Sequence, residues 1–207
     1  MAGCCEMDAK QDRQRRLLWL VLILNGGMFV VELVAGLLAQ STGLLADSLD
    51  MLADAAVYAI SLYAVGRAAS VKITAARLNG LFQLTLGIGV LIEIVRRIWT
   101  GSSPNESIML SVALAALAVN VFCFVMLYSQ RQGDINIRAA WICSRNDMLA
   151  NIGVIVAAGL VNQFDQAWPD WAIGGIIAIV VIHSAVGILR EAKHGEAHGC
   201  SDKACHT

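Results

Sequence analysis

The chain has 207 residues, of which 57% are hydrophobic and only 15% charged, with two prolines and a formal net charge of −1. Its mean hydropathy is positive, which is unlike a soluble domain of this length and marks an integral membrane protein. The near-neutral balance, with basic residues scattered between apolar blocks, excludes a nucleic-acid partner.

Residues 1–16 form a polar amino-terminal tail that carries Cys4, Cys5, Lys10, Arg13, Arg15 and Arg16. The apolar run from Leu17 exceeds twenty residues and has no small-residue cleavage site, so it is a retained first helix and not a removable signal. Six apolar blocks follow in order, at 17–39, 43–66, 76–95, 106–128, 139–161 and 170–190. Each approaches the ~20 residues that a helix needs to cross a bilayer. Apolar residues run on without period-2 alternation, which rules out an outer-membrane barrel. The expected fold is an all-α integral membrane protein with a six-helix transmembrane domain over 17–191.

An even number of spans places both termini on one side. Lys and Arg gather there: in the amino tail, at Arg67, Lys72 and Arg77, at Arg131 and Arg138, and at Arg190, Lys193 and Lys203. By the positive-inside rule that side is cytoplasmic. The segment "NQFDQAWPD" on the other side has acids and no base, and only Arg96 and Arg97, ending the third span, depart from the pattern. Residues 192–207 form a short tail of Cys and His, with no soluble domain expected after it.

Charges inside spans are costly, so they face a bundle interior and mark function. The second span holds Asp47, Asp50 and Asp54. At about 100° per residue these fall within an arc of roughly 60°. In "WICSRNDMLAN" of the fifth span, Cys143, Asp147 and Asn151 recur every four residues, turning only about 40° per step. With span two running inward and span five outward, Asp54 and Asp147 lie at similar depth, and Asp50 and Cys143 lie within about a turn of them. Carboxylates this close in a dry interior share protons or a cation. Mixed oxygen and sulfur donors suit tetrahedral Zn²⁺ or Cd²⁺ better than Mg²⁺, Ca²⁺ or Mn²⁺.

Plainer roles account for other polar groups. Cys123 in "VFCFVM" has no second ligand beside it and behaves as a small core hydrophobe. His183 is alone in the sixth span and is a packing residue, and Asn25, Glu32 and Asn120 supply interhelical hydrogen bonds. Asp47, nearest the outer end of its span, and Asn151 are accessory groups. Arg145 points about 160° away from Cys143 and so off the polar stripe.

The motifs "NGGMFVVELVAGLLAQSTGLLADSLDMLAD", "EIVRR", "NIRAAWICSRND…NIGVIVAAGL" and "PDWAIGGIIAIVVIHSAVGILREA", in this order, resemble the cation diffusion facilitators across nearly the whole membrane region. The resemblance implies proton-coupled export of divalent transition metals from the cytoplasm by a homodimer, through four ligands on spans two and five. Carried over by position, those ligands are Asp50, Asp54, Cys143 and Asp147. The family often has histidine where Cys143 stands, and Asp50 also occupies a His-or-Asp position. Both choices favour softer or larger ions such as Cd²⁺. Members usually carry a soluble cytoplasmic domain after span six, and none is expected here. The short loop before span five lacks the histidine cluster of many eukaryotic zinc carriers, so the expected location is a bacterial plasma membrane.

In the tails, Cys4, Cys5, His194, His198, Cys200, Cys205 and His206 are soft and borderline donors suited to collecting metal on the cytoplasmic side. Their distribution does not suit a disulfide frame. A rival class, a membrane thiol or mercury carrier, needs a close thiol pair within a span, whereas Cys123 and Cys143 are single. A non-transporting metal sensor or scaffold is the other rival. No Gly-rich phosphate loop and no nucleophile-base set is present, so the chain is expected to be a transporter and not an enzyme.

Overall fold

The computed structural model describes the backbone of residues 2–64, 69–128 and 135–201, and side chains over the greater part of 15–193. All regular structure among the described residues is helical: α1 (Ala2–Leu38), α2 (Thr42–Ala64), α3 (Ala69–Thr100), α4 (Glu106–Tyr128), α5 (Ile135–Phe164) and α6 (Trp168–Ser201). Helix α1 begins well before the expected span, and α6 continues into the expected tail.

Five of the helices, α1, α3, α4, α5 and α6, are long and apolar enough to cross a membrane. Helix α2 is the exception to the six expected from sequence. Its three aspartates sit so centrally that every 18-residue stretch of it includes all of them, and its apolar character falls short for that reason. The packing compensates, because α2 is the inner helix, contacted by α1, α3, α5 and α6. Residues 41–49 are buried at every position, so Asp47 is enclosed by protein, and Asp54 is buried further along.

The outer helices present their apolar side chains outward, among them Ile23, Leu37, Leu78, Ile92, Val125 and Ile179. This is the arrangement that a hydrocarbon solvent selects, since every backbone group is satisfied within a helix and nothing drives these side chains inward. Trp99 and Trp168 are exposed at one end of the bundle and Trp19 and Tyr128 at the other, as interfacial aromatics should be. The chain is a multi-pass membrane protein.

Close helix contacts set the geometry around α2. Helix α1 ends with Gln40 in the left-handed region at φ 50, and the Ser41 amide donates to the Gly36 carbonyl at 3.0 Å, closing a tight turn into α2. A methyl at Gly36 would lie 3.0 Å from the Leu45 amide nitrogen, so the two helices touch through backbone. Arg96 and Arg97, the two exceptions to the charge pattern, share one carboxylate. Glu93 accepts from Arg96 through both its oxygens, at 2.6 and 2.7 Å, and from Arg97 Nε at 2.8 Å. Pairing removes one of the two positive charges from that end of α3.

Candidate metal centre

Of the polar stripes expected from sequence, Asp47, Asp54, Asp147 and Asn151 are buried and Asp50 is part-buried. On α2, Asp47 is fully buried and Asp54 nearly so; on α5, Ser144, Asp147 and Asn151 are buried while Arg145 and Asn146 are exposed. Arg145 therefore points away from the carboxylates, as its 200° offset from Asp147 requires. Glu32 on α1 is buried as well. Helices α1, α2 and α5 thus each bury at least one acid.

The antiparallel register of α2 and α5 is fixed near one end of the bundle, where a methyl at Gly43 would meet Val154 Cγ2 at 3.6 Å. Asp50 lies seven residues beyond Gly43 and Asp147 seven before Val154, a displacement of about 10 Å along each helix. The same count sets Asp54 level with the backbone of Cys143. The four positions therefore form two layers one helical turn apart, Asp50 level with Asp147 and Asp54 level with Cys143, whereas the sequence sets Asp54 level with Asp147; the Gly43–Val154 contact shifts the register by one turn.

Asp54 is held from below, since Tyr58 one turn further along α2 donates its hydroxyl to Asp54 Oδ2 at 3.1 Å. Asn151 spends its amide N–H on the Asp147 carbonyl at 2.7 Å, which leaves its own oxygen facing the interior. Among the described residues, buried oxygens with no hydrogen-bond partner are found on Asp47, Asp147, Asn151, Glu32 and Asn120. Unpaired acceptors are costly when dry, and a bound cation or proton is one way to satisfy them. No three His, Cys, Asp or Glu side chains among the described residues are close enough together to hold a metal ion. The side chain of Cys143 lies outside the described residues, as do those of Cys4, Cys5, His194, His198, Cys200, Cys205 and His206.

A cavity of about 410 Å³ opens between α5 and α6 and reaches Asp50. Its walls are mostly apolar, with Gly153, Ile173 and Ile177 toward the Gly43 end and Asn146 and Val180 toward the middle. Space of this size beside a carboxylate can admit a hydrated ion.

The secondary polar groups divide. Cys123 is a buried free thiol packed with Leu17, Val21, Tyr58 and Leu127, the core hydrophobe expected. Asn120 bridges helices through a long contact from Nδ2 to Met51 Sδ at 3.9 Å, whereas Asn25 bonds within its own helix to the Val21 carbonyl. Glu32 makes no hydrogen bond, so it is not the interhelical tie expected of it. His183 is exposed on α6 and packs in no core.

A profile of the cation efflux transmembrane domain matches residues 18–194. The chain belongs to the cation efflux family. Similar curated proteins include a cadmium, cobalt and zinc/H⁺-K⁺ antiporter of Bacillus velezensis, 28% identical over 87% of this chain and 62% of the relative. The cation efflux system protein CzcD of an Alcaligenes species is 28% identical over 90% of the chain and 63% of the relative. The zinc transporter ZitB of Yersinia pestis is 28% identical over 89% and 63% respectively. This cation efflux chain spans a little over three-fifths of the length of these relatives, and all of them are transporters by name. The matched region takes in both polar stripes and the turn that joins α1 to α2.

Proposed function

We propose that the chain exports divalent transition-metal cations, Zn²⁺ foremost and Cd²⁺ next, from the cytoplasm of a bacterial cell across its inner membrane, in exchange for protons. The observation that carries this reading is the burial of Asp47 and Asp54 on α2, which packs against α5, together with buried Asp147 on α5, whose Oδ2 has no partner. Asp50, Asp54, Cys143 and Asp147 are the ligands in this reading, and Asp47 and Asn151 are accessory. All six helices span the membrane, with both termini cytoplasmic, and two copies associate.

The chemistry follows from the donors. Four groups of mixed oxygen and sulfur hold a tetrahedral ion. The same carboxylates bind protons when the ion leaves, so the site alternates between two neutralised states and never presents bare clustered charge to a dry interior. A site facing the cytoplasm loads metal; after the helices rock, protons from the acidic side displace it. The names of the relatives, which include zinc and cadmium transport and H⁺ antiport, support this assignment.

Reconstituted vesicles with an imposed pH gradient test the reading across Zn²⁺, Cd²⁺, Mn²⁺ and Fe²⁺. The expected order has Zn²⁺ and Cd²⁺ well ahead, and transport of Mn²⁺ in preference to both would refute the ligand set. The cytoplasmic tails add a smaller effect. Their Cys and His donors collect metal and raise its local concentration at the mouth of the bundle. Deleting residues 194–207 is expected to lower flux severalfold at limiting metal and leave it unchanged at saturation; equal flux at both concentrations removes the idea.

A further inference from the structure

The first turn of α2 is held by a residue from the far end of the chain. Asp170, fully buried in the first turn of α6, accepts the Thr42 amide at 2.6 Å through Oδ2 and the Gly43 amide at 3.0 Å through Oδ1. It also accepts the Ser41 hydroxyl at 2.6 Å and the Thr42 hydroxyl at 2.9 Å. Ser41 Oγ in turn accepts the Leu44 amide at 3.1 Å, and the Leu45 amide reaches the Ser41 carbonyl at 3.4 Å. Every orphan N–H of the α2 amino terminus is thereby accounted for. One carboxylate caps α2 from another helix while its charge also faces the positive end of its own helix dipole.

A second contact fixes the same junction. A methyl at Gly174, one turn along α6, would sit 2.7–2.9 Å from the Thr42 carbonyl group and the Gly43 amide nitrogen. Only glycine lets α6 lie this close to the α2 backbone. Helix α5 joins there through Val154, so the junction is the origin from which both acid-bearing helices are measured. Asp50 hangs from it by about 10 Å of stiff helix, and Asp54 by one turn more.

We propose that Asp170 is a positioning residue for the metal site: by clasping the first turn of α2 from α6, it sets the depth at which Asp50 and Asp54 meet α5. The proposal rests on the transport reading in taking those two acids as ligands. A charge-assisted clasp with several bonds resists the sliding of α2 against α6, and sliding by even a fraction of a turn would carry Asp50 out of register with Asp147 and Asp54 out of register with the backbone of Cys143.

Full-length Asp170→Asn and Gly174→Ala chains in proteoliposomes test it. Asp170→Asn keeps the shape but has only one acceptor oxygen for two amides; Gly174→Ala leaves the carboxylate intact and pushes the helices apart. Both are expected to raise KM for Zn²⁺ about tenfold at equal inserted protein, and Asp170→Glu to recover most of that loss. A clasp serving stability alone would lower the amount of folded protein and leave the KM of the surviving fraction unchanged, and that result overturns the proposal. If the wild-type chain carries no Zn²⁺, the transport reading fails. Equilibrium Cd²⁺ binding to the purified chain then replaces KM: a raised Kd in both variants supports the clasp, while an unchanged Kd, or no Cd²⁺ binding by the wild type, overturns it.

Discussion

An Asp147→Ala chain is expected to insert normally and to lose at least about 100-fold of its Zn²⁺ flux, more than the 10–100-fold typical of groups that merely orient a ligand. Asp147 is 1% exposed and its Oδ2 has no partner. Truncating it removes one of several like charges from a dry interior, so no structural penalty should accompany the loss. The bond from Asn151 to the Asp147 carbonyl involves backbone and survives the change. Vesicle flux and thermal unfolding in detergent, measured on the same preparation, check both halves. Near-normal flux would remove Asp147 from the site, and a collapse in Tm would show that its carboxylate holds the bundle together.

The second large effect concerns selectivity. Cys143→His is expected to shift preference toward Zn²⁺ over Cd²⁺ by about tenfold, because an imidazole nitrogen replaces a soft thiolate in a donor set otherwise made of carboxylate oxygens. The helix register sets the Cys143 backbone level with Asp54 and one turn from Asp147, so a longer imidazole at this position can still reach an ion between them. Competition of Cd²⁺ against Zn²⁺ uptake gives the ratio directly. An unchanged ratio would mean that the fourth ligand is another group.

Helix number, order and the two polar stripes were legible in the sequence because hydrophobic runs and a 3.6-residue period are local properties. The inward direction of Asp147 and the outward direction of Arg145 followed from the same period. The enclosure of α2 was less accessible. Its aspartates depress its apolar character, and its place inside the bundle comes from packing against α1, α3, α5 and α6, which no local pattern shows. Asp170 was invisible for a different reason: its partners lie 127–129 residues away, and no local pattern announces a cap supplied from another helix. Tyr58 could have been found, since it stands four residues after Asp54 on the same face. Glu32 was misassigned as an interhelical hydrogen bonder because sequence gives the face of α1 that it occupies but not the absence of donors opposite. The two arginines ending α3 weakened the charge rule until Glu93 was seen to pair with both.

In the proposed transport cycle, buried carboxylates of α2 and α5 exchange a metal ion for protons. The most direct measurement follows Zn²⁺ and internal pH together in sealed vesicles of the wild-type chain, with Asp54→Ala and Asp147→Ala as controls. The account predicts that Zn²⁺ movement one way is matched by proton movement the other way, that a steeper opposing pH gradient accelerates both, and that both vanish in either variant. Zn²⁺ movement without any pH change, or coupled movement that persists in both variants, would contradict it.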